Sequence, residues 1–427
     1  MDEPIGHAIR SVARPIHGEP ELEMLADQLA NARIVVLGES TCGTHELYDL
    51  RASITRRLIG RGSAALVIEA DWPDAVRVDR YVRHLGDDES SRHALGSFER
   101  FPKWLWRNTD VVAMLDWLRA YNGLQRPERR AGFYGLDLYA MFASIQCVLS
   151  HLDEHDPPAA RIARARYACF DHEAHPAIDG GIGKLDELVI VQLVEMQRRR
   201  AARSGRTPAG DAWWNAMHAA HVCDDAEAYY RTICCADAWD LRERHMADTI
   251  DMLAGHLGAP AKLVVWAHNS HVGDARATEL ADRRVTLGQL LRERHPGEVA
   301  LVGFTTYDGT VLVADDWDEP AHREQVRPGL PNSWEALFHD AELPRCMMTA
   351  AALRRAVGAE VDRLERSIGV VYRPEAERHS HYRAARIADQ FDVIVHVDRT
   401  RAVEPLDVAP VLPLVASDPA QAIPARN

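Results

Sequence analysis

No window of these 427 residues is apolar for long enough to span a bilayer. The opening MDEPIGHAIRSVARPI also lacks the apolar core that a secretory signal needs. Both absences predict a cytoplasmic chain with no membrane partner. An excess of positive charge is missing too: 50 Lys and Arg stand against 64 Asp and Glu, a formal charge of -14. Long-range repulsion then opposes a nucleic-acid or anionic-membrane surface. The one dense basic stretch, residues 197–206 (QRRRAARSGR), reads as an exposed helix end and loop. Cysteine is sparse, odd in number and scattered (Cys42, Cys147, Cys169, Cys223, Cys234, Cys235, Cys346), which predicts reduced thiols rather than a disulfide framework. There is no internal repeat and no low-complexity segment.

What is present is a repeated pattern of apolar strand, polar or acidic end, and helix. Residues 34–58 (IVVLGESTCGTHELYDLRASITRRL) begin as a buried strand, break at Gly38, and become an amphipathic helix. Residues 64–68 (AALVI) form a second strand ended by Glu69, Ala70, Asp71 and Trp72, with Pro73 opening a helix. Residues 131–139 (AGFYGLDLY) predict a third strand carrying Asp137, and 262–267 (KLVVWA) a fourth followed by His268, Asn269, Ser270, His271 and Asp274. Further strands are expected at 299–304, 368–372 and 392–397, with a turn at Asp308 and Gly309. Residues 144–255 read almost wholly as helix, a helical insertion or cap with breaks near Pro157, 179–183 and 204–210. The alternation predicts a single α/β domain over 1–427: a mostly parallel central sheet between helical layers.

In such a sheet the carboxyl ends of the strands share one edge, so Glu39, Glu69, Asp137, His268 and His271 can converge. Two neighbouring carboxylates cannot both ionise cheaply unless a cation intervenes. Arg51 is the candidate, because it follows Leu47 by four residues and precedes Ile54 by three, on the buried side of its helix. Blander readings stand beside these. Glu39 can cap the following helix, Arg51 can be a structural ion-pair partner, and Asp137 and Asp274 can be loop residues. His45 can be a surface histidine, and Trp213, Trp214, Tyr229 and Tyr230 fit a core as well as an apolar pocket wall. The spacing His268-Asn-Ser-His271 also admits a metal site completed by Cys42 or Glu39. Residues 38–43 have the glycine spacing of a phosphate loop without its Lys, and Ser40 lacks the Gly-x-Ser-x-Gly setting of a serine hydrolase.

LGESTCGTHELYDLRASITRRLI, VIEADWPDAVRVDRYV, FPKWLWRN, GFYGLDLY, LRERHMADT and VVWAHNSHVGDARATE, continued by GFTTYDGTV and ERSIGVVYRPEAERHSHY, together resemble the erythromycin esterase family over nearly the whole chain. The resemblance implies a three-layer α/β/α fold and hydrolysis of an ester or macrolide lactone without metal or cofactor. The family assigns this to a histidine base in the first loop, helped by acids, an arginine and later histidines. Glu39, Arg51, Glu69, His268 and His271 match such positions, with His45, Asp137 and Trp72 as candidate contacts to a small-molecule substrate. The base does not match. The family commonly reads Gly-Glu-x-Thr-His or Gly-Glu-x-Ser-His here, and this chain has Cys42 in the histidine's place. A thiol is a better nucleophile than water-activating base. The expectations are therefore a Cys42 nucleophile, its pKa lowered by the helix N-terminus, Arg51 or His268, that attacks an ester, lactone or related acyl carbonyl for hydrolysis or acyl transfer; an inactive ligand-binding homologue; or a Cys/His metal site. The sequence leaves the oligomeric state open.

Overall fold

The run Ile34–Leu37 is buried on both faces, which only a central strand covered by helices on each side provides. The computed structural model describes residues 3–168, 191–192, 196, 208–232, 237–258, 260–358 and 361–407. The predicted basic stretch at 197–206, the break at 179–183, most of that at 204–210, and Cys169, Cys234 and Cys235 lie outside these residues. The described strands are β1 (Arg14–Pro15), β2 (Ile34–Leu37), β3 (Ser63–Asp71), β4 (Gly132–Asp137), β5 (Lys262–Trp266) and β6 (Val299–Val313). They continue with β7 (His322–Val326), β8 (Arg345–Thr349), β9 (Arg363–Arg366), β10 (Tyr382–Ala385) and β11 (Val393–Thr400). Nine of them form one sheet in the order β1-β8-β11-β6-β2-β5-β3-β4, with β7 on β6, while β9 and β10 pair separately. The six strands from β11 to β4 are parallel, and β1, β7 and β8 pair antiparallel at the margins.

The period-2 pattern sorts side chains into two cores. Ile34, Val36, Val67 and Val265 pack on one face, and Val35, Leu37, Leu66, Ile68 and Val264 on the other. The second face is covered by α1 (Glu19–Leu29), whose Leu22, Leu25, Ala26 and Leu29 form its buried stripe, by α2 (His45–Gly60), and by α3 (Thr109–Gly123). The first is covered by α4 (Met141–His155), α5 (Pro157–Tyr167), α6 (Pro208–Thr232) and α7 (Asp237–Leu257). The helical segment expected as an insertion or cap thus supplies much of one outer layer, and the break at Pro157 separates α4 from α5.

Two expectations fail locally. The turn at Asp308 and Gly309 lies inside β6, which runs on to Val313. Gly309 takes φ +139° where a Cβ would meet the Thr400 carbonyl oxygen at 2.0 Å, so the glycine lets the strand continue and pair with β7. Residues 368–372 are not a strand: Ile368 and Val371 make only isolated bridges, to Thr41 and Ala314. This extended segment instead forms a wall against the loop after β2.

Candidate active site

The pairing register lines up the strand ends. Leu37 lies opposite Trp266, Ile68 opposite the same Trp266, and Asp71 opposite Asp137. Gly38 then lets the chain pass Asn269 closely, since a Cβ there would meet the Asn269 Oδ1 at 2.1 Å. Backbone bonds fix the loop: Asn269 N–H donates to the Glu39 carbonyl (2.8 Å) and Cys42 N–H to the Ile368 carbonyl (2.9 Å). The result is a cavity of about 420 Å³ whose floor includes Glu39, Cys42, Arg51, Glu69, Asp137, His268 and His271. Phe98, Phe101, Leu105, Trp106 and Trp317 give it an apolar flank.

On one side of the floor, Arg51 is fully buried, donates from Nη2 to the Glu39 Oε2 at 2.7 Å, and lies 4.5 Å and 4.7 Å from the ring centres of Tyr48 and Trp266. Its Nε and Nη1 have no hydrogen-bond partner among the described residues. The Cys42 thiol donates to the other Glu39 oxygen, Oε1, at 3.7 Å. Burial pushes Glu39 up to about 7 despite the pull of Arg51, with Glu69 adding to the rise. The thiol is driven well above its ordinary value by burial and by the charges of Glu39 and Glu69. The expected lowering of the Cys42 pKa is therefore not found: Cys42 rests as a thiol, because burial, joined by Glu39 and Glu69, outweighs the nearby Arg51.

On the other side, Arg242 from α7 makes a bidentate pair with Asp137 (Nε–Oδ1 2.9 Å, Nη2–Oδ2 2.7 Å) and reaches the Glu69 Oε1 at 2.8 Å. Burial alone would raise Glu69, but His271 and Arg242, with the His268 N–H donating at 2.8 Å, hold it well below the usual carboxylate range. His271 Nδ1 bonds Glu243, and its Nε2 lies 3.2 Å from Glu69 and 3.0 Å from Arg242 Nη1. Burial disfavours the imidazolium, yet Glu243 and Glu69 lift His271 to about 9. His268 is the opposite case: burial takes it down to about 4, so it is neutral. Its Nε2 bonds the Ile368 carbonyl at 3.1 Å and its Nδ1 lies 2.8 Å from Ser270 Oγ. Two nearby carboxyls thus have separated titrations, Glu39 near neutrality and Glu69 well below the usual carboxylate range.

Two candidate contacts fall outside the cavity lining. His45 opens α2 pointing away, with Nδ1 2.8 Å from Asp110. Trp72 is fully buried, stacked on Tyr134 and edge-on to Trp214, because it starts a helix at the sheet's covered face rather than its open edge. Trp213 and Trp214 belong to the same core, whereas Tyr229 and Tyr230 bond Tyr139, which does line the cavity. Asp274 pairs with Arg276 and Arg292. His268, His271 and Cys42 do not converge as metal ligands; the one convergent donor group among the described residues lies elsewhere.

The sequence reading passed over Arg242, Glu243, Arg100, Tyr139 and Trp239. Arg100 donates to Asp71 at 2.7 Å, Arg100 and Arg242 flank the Tyr139 ring at 4.7 Å and 5.1 Å, and Trp239 stacks on His271 at 4.9 Å. A signal for Arg242 existed: it falls in line with Met246, Thr249, Ile250 and Leu253 on the buried stripe of α7, as Arg51 does on α2.

Three kinds of similarity agree with this architecture. The family model described as erythromycin esterase matches residues 60–400, a span that begins after the first loop. YbfO of Bacillus subtilis (strain 168), whose name gives it provisionally as a hydrolase, is 22% identical over 366 residues, covering 79% of each chain. Among solved structures, a succinoglycan biosynthesis protein superposes with a TM-score of 0.76 at 20% identity, over 95% of this chain and 99% of that one. A histidine-to-asparagine mutant of the erythromycin esterase EreC, in its open conformation, gives 0.66 at 17% identity, over 91% and 96%.

Proposed function

The chain belongs to the erythromycin esterase family, and from that premise we propose that it hydrolyses an ester or lactone by way of Cys42, with Glu39 as the proton acceptor. The observation that carries this reading is the Cys42 thiol donating to a cavity-facing Glu39 whose carboxyl titrates at about 7. A thiol that is not ionised at rest needs an adjacent base, and a base is most effective with a pKa near the working pH.

The reaction balances with these two side chains. The Cys42 sulfur bonds to the carbonyl carbon while its proton passes to Glu39 Oε1. Collapse of the tetrahedral adduct breaks the carbon–oxygen bond, and Glu39 returns the proton to the leaving alkoxide. Water then attacks the thioester, giving its proton to Glu39, and the departing thiolate takes that proton back. Arg51 holds Glu39 Oε2, so Oε1 stays turned to the thiol, and its buried positive charge lies beside the carboxyl that takes and returns the proton. The flank of Phe98, Phe101, Leu105, Trp106 and Trp317 suits an apolar acyl or lactone substrate.

A panel of aryl esters, simple lactones and macrolides, read by mass spectrometry of products and of quenched intact protein, tests the proposal. Turnover with a substrate-derived adduct on Cys42, absent in Cys42→Ala, supports it. Full turnover by Cys42→Ala overturns the nucleophile. One observation favours a second reading: the strong upward shift of the Cys42 thiol also suits a pocket that binds without turnover. Ligand binding by wild type with neither product nor adduct identifies that case.

A further inference from the structure

Outside the cavity, a second group of polar side chains lies between α6 and α7. His221 and Asp225 occupy successive turns of α6, and His245 faces them from α7, three residues after Arg242. Asp225 Oδ2 is 2.6 Å from His245 Nδ1 and 3.3 Å from His221 Nε2. Only the first contact has hydrogen-bond geometry. His221 Nε2 is buried with no hydrogen-bond partner among the described residues. Two imidazole nitrogens directed at a single carboxylate oxygen are poorly served by a hydrogen-bond network, because that network leaves one of them unpaired.

A metal ion uses the same arrangement fully. One atom from each residue lies within 4.8 Å of the other two. Zinc bonded at about 2.0–2.1 Å in tetrahedral geometry separates its ligand atoms by about 3.3 Å, the observed His221–Asp225 spacing, while the 2.6 Å contact of Asp225 with His245 has to open by a side-chain rotation as the ion replaces the hydrogen bond. Two imidazoles and one carboxylate are a borderline donor set that suits zinc and its first-row neighbours better than calcium or magnesium. His221 and Asp225 each keep part of their side chain exposed, which leaves an approach from solvent. His218, one turn earlier on α6, is directed instead at Trp72 and Thr249.

We propose that His221, Asp225 and His245 form a three-ligand site for a divalent first-row metal, zinc by its donor set, completed by water and clamping α6 to α7. The clamp would steady the helix that sends Arg242 into the cavity and sets Glu243 against His271. It is a site separate from the Cys42 chemistry, and its test reads metal rather than turnover.

The full chain without an affinity tag, stripped by a chelator, is titrated with Co²⁺ and Zn²⁺, and compared with His221→Ala and Asp225→Asn. The expected result is one Co²⁺ per chain with visible d–d absorption, displaced by Zn²⁺, and a rise in melting temperature on adding Zn²⁺. Each variant should lose affinity by about tenfold or more, since even outer-shell partners cost about 10–100-fold. Unchanged circular dichroism shows that the variants are folded. Should one variant misfold, the other and the wild-type stoichiometry still decide. No stoichiometric binding by the wild type, or equal affinity in folded variants, overturns the site and leaves a His245–Asp225 hydrogen bond alone.

Discussion

Cys42 Sγ sits 3.7 Å from Glu39 Oε1 while Arg51 holds Glu39 Oε2 at 2.7 Å, so one carboxyl links the thiol to a buried cation. If Glu39 is the proton acceptor, Glu39→Gln keeps the shape and removes the base. We expect kcat/KM for whichever ester is turned over to fall by about 10²–10⁴-fold, the range of general-base catalysis. Steady-state rates with melting temperature as a folding control measure this. A folded Glu39→Gln within a few-fold of wild type would remove Glu39 from the chemistry.

The pH profile follows from the same group. Glu39 accepts a proton only when ionised, so kcat/KM should rise with pH through about 7 and then level off. Stability answers to His271. Its folded pKa, lifted to about 9 from the ordinary 6.5, means that its contribution is complete below 6.5 and fades as pH rises through about 9. The melting-temperature advantage of wild type over His271→Asn should therefore shrink on the alkaline side. A constant difference across that window would show that the imidazolium contributes nothing.

Arg242 is the hub of the opposite wall. Arg242→Met leaves Asp137 and Glu69 buried without their cation, a change that costs about 3–5 kcal/mol when one partner of a buried pair is lost. Both carboxyls lie below their ordinary values in the folded protein, so the wild-type advantage is present above the usual carboxylate range and lost as pH falls. Urea titrations at neutral and acidic pH should show a large gap that narrows in acid. An equal gap at both would point to lost packing instead.

How far the site was legible from sequence can be judged from its two arginines. Arg51 was found because a charged residue interrupts an apolar stripe directly after the signature loop, and its buried pair with Glu39 is what that pattern asks for. Arg242 carries the same mark on α7, but nothing nearby in sequence shows that Asp137, 105 residues away, is its partner. The parallel sheet was readable because short apolar runs ended in acids. The marginal β1, β7 and β8 were not, being short or polar and paired only through tertiary contact. His45 and Trp72 lie outside the cavity lining because nearness to a strand end does not fix side-chain direction.

Those two residues make a paired control. Trp72→Ala removes a fully buried ring from the face packed by α6, with an expected loss of about 3–5 kcal/mol. His45→Ala breaks a single part-buried contact with Asp110, a loss of about 1 kcal/mol. Neither residue lines the cavity, so folded protein of either kind should keep the wild-type KM. A KM change in His45→Ala without loss of stability would return it to the substrate contacts.

Cys42→His asks whether this loop still accepts the base that its family resemblance leads one to expect. Imidazole is larger than thiol, and the position is nearly closed, so the ring must lean into the cavity toward Glu39 and Glu69. There it would draw a proton from water rather than attack the carbonyl itself. Hydrolysis should then proceed with no adduct on residue 42 and with indifference to iodoacetamide, whereas wild type should be labelled at Cys42 and lose turnover. The labelling must be slow, since burial and two carboxylates keep the thiol protonated. Intact-protein mass spectrometry beside progress curves separates the outcomes. A folded Cys42→His that binds the substrate without turning it over would mean that the surrounding Glu39, Arg51 and His268 are arranged for sulfur and no longer for an imidazole base.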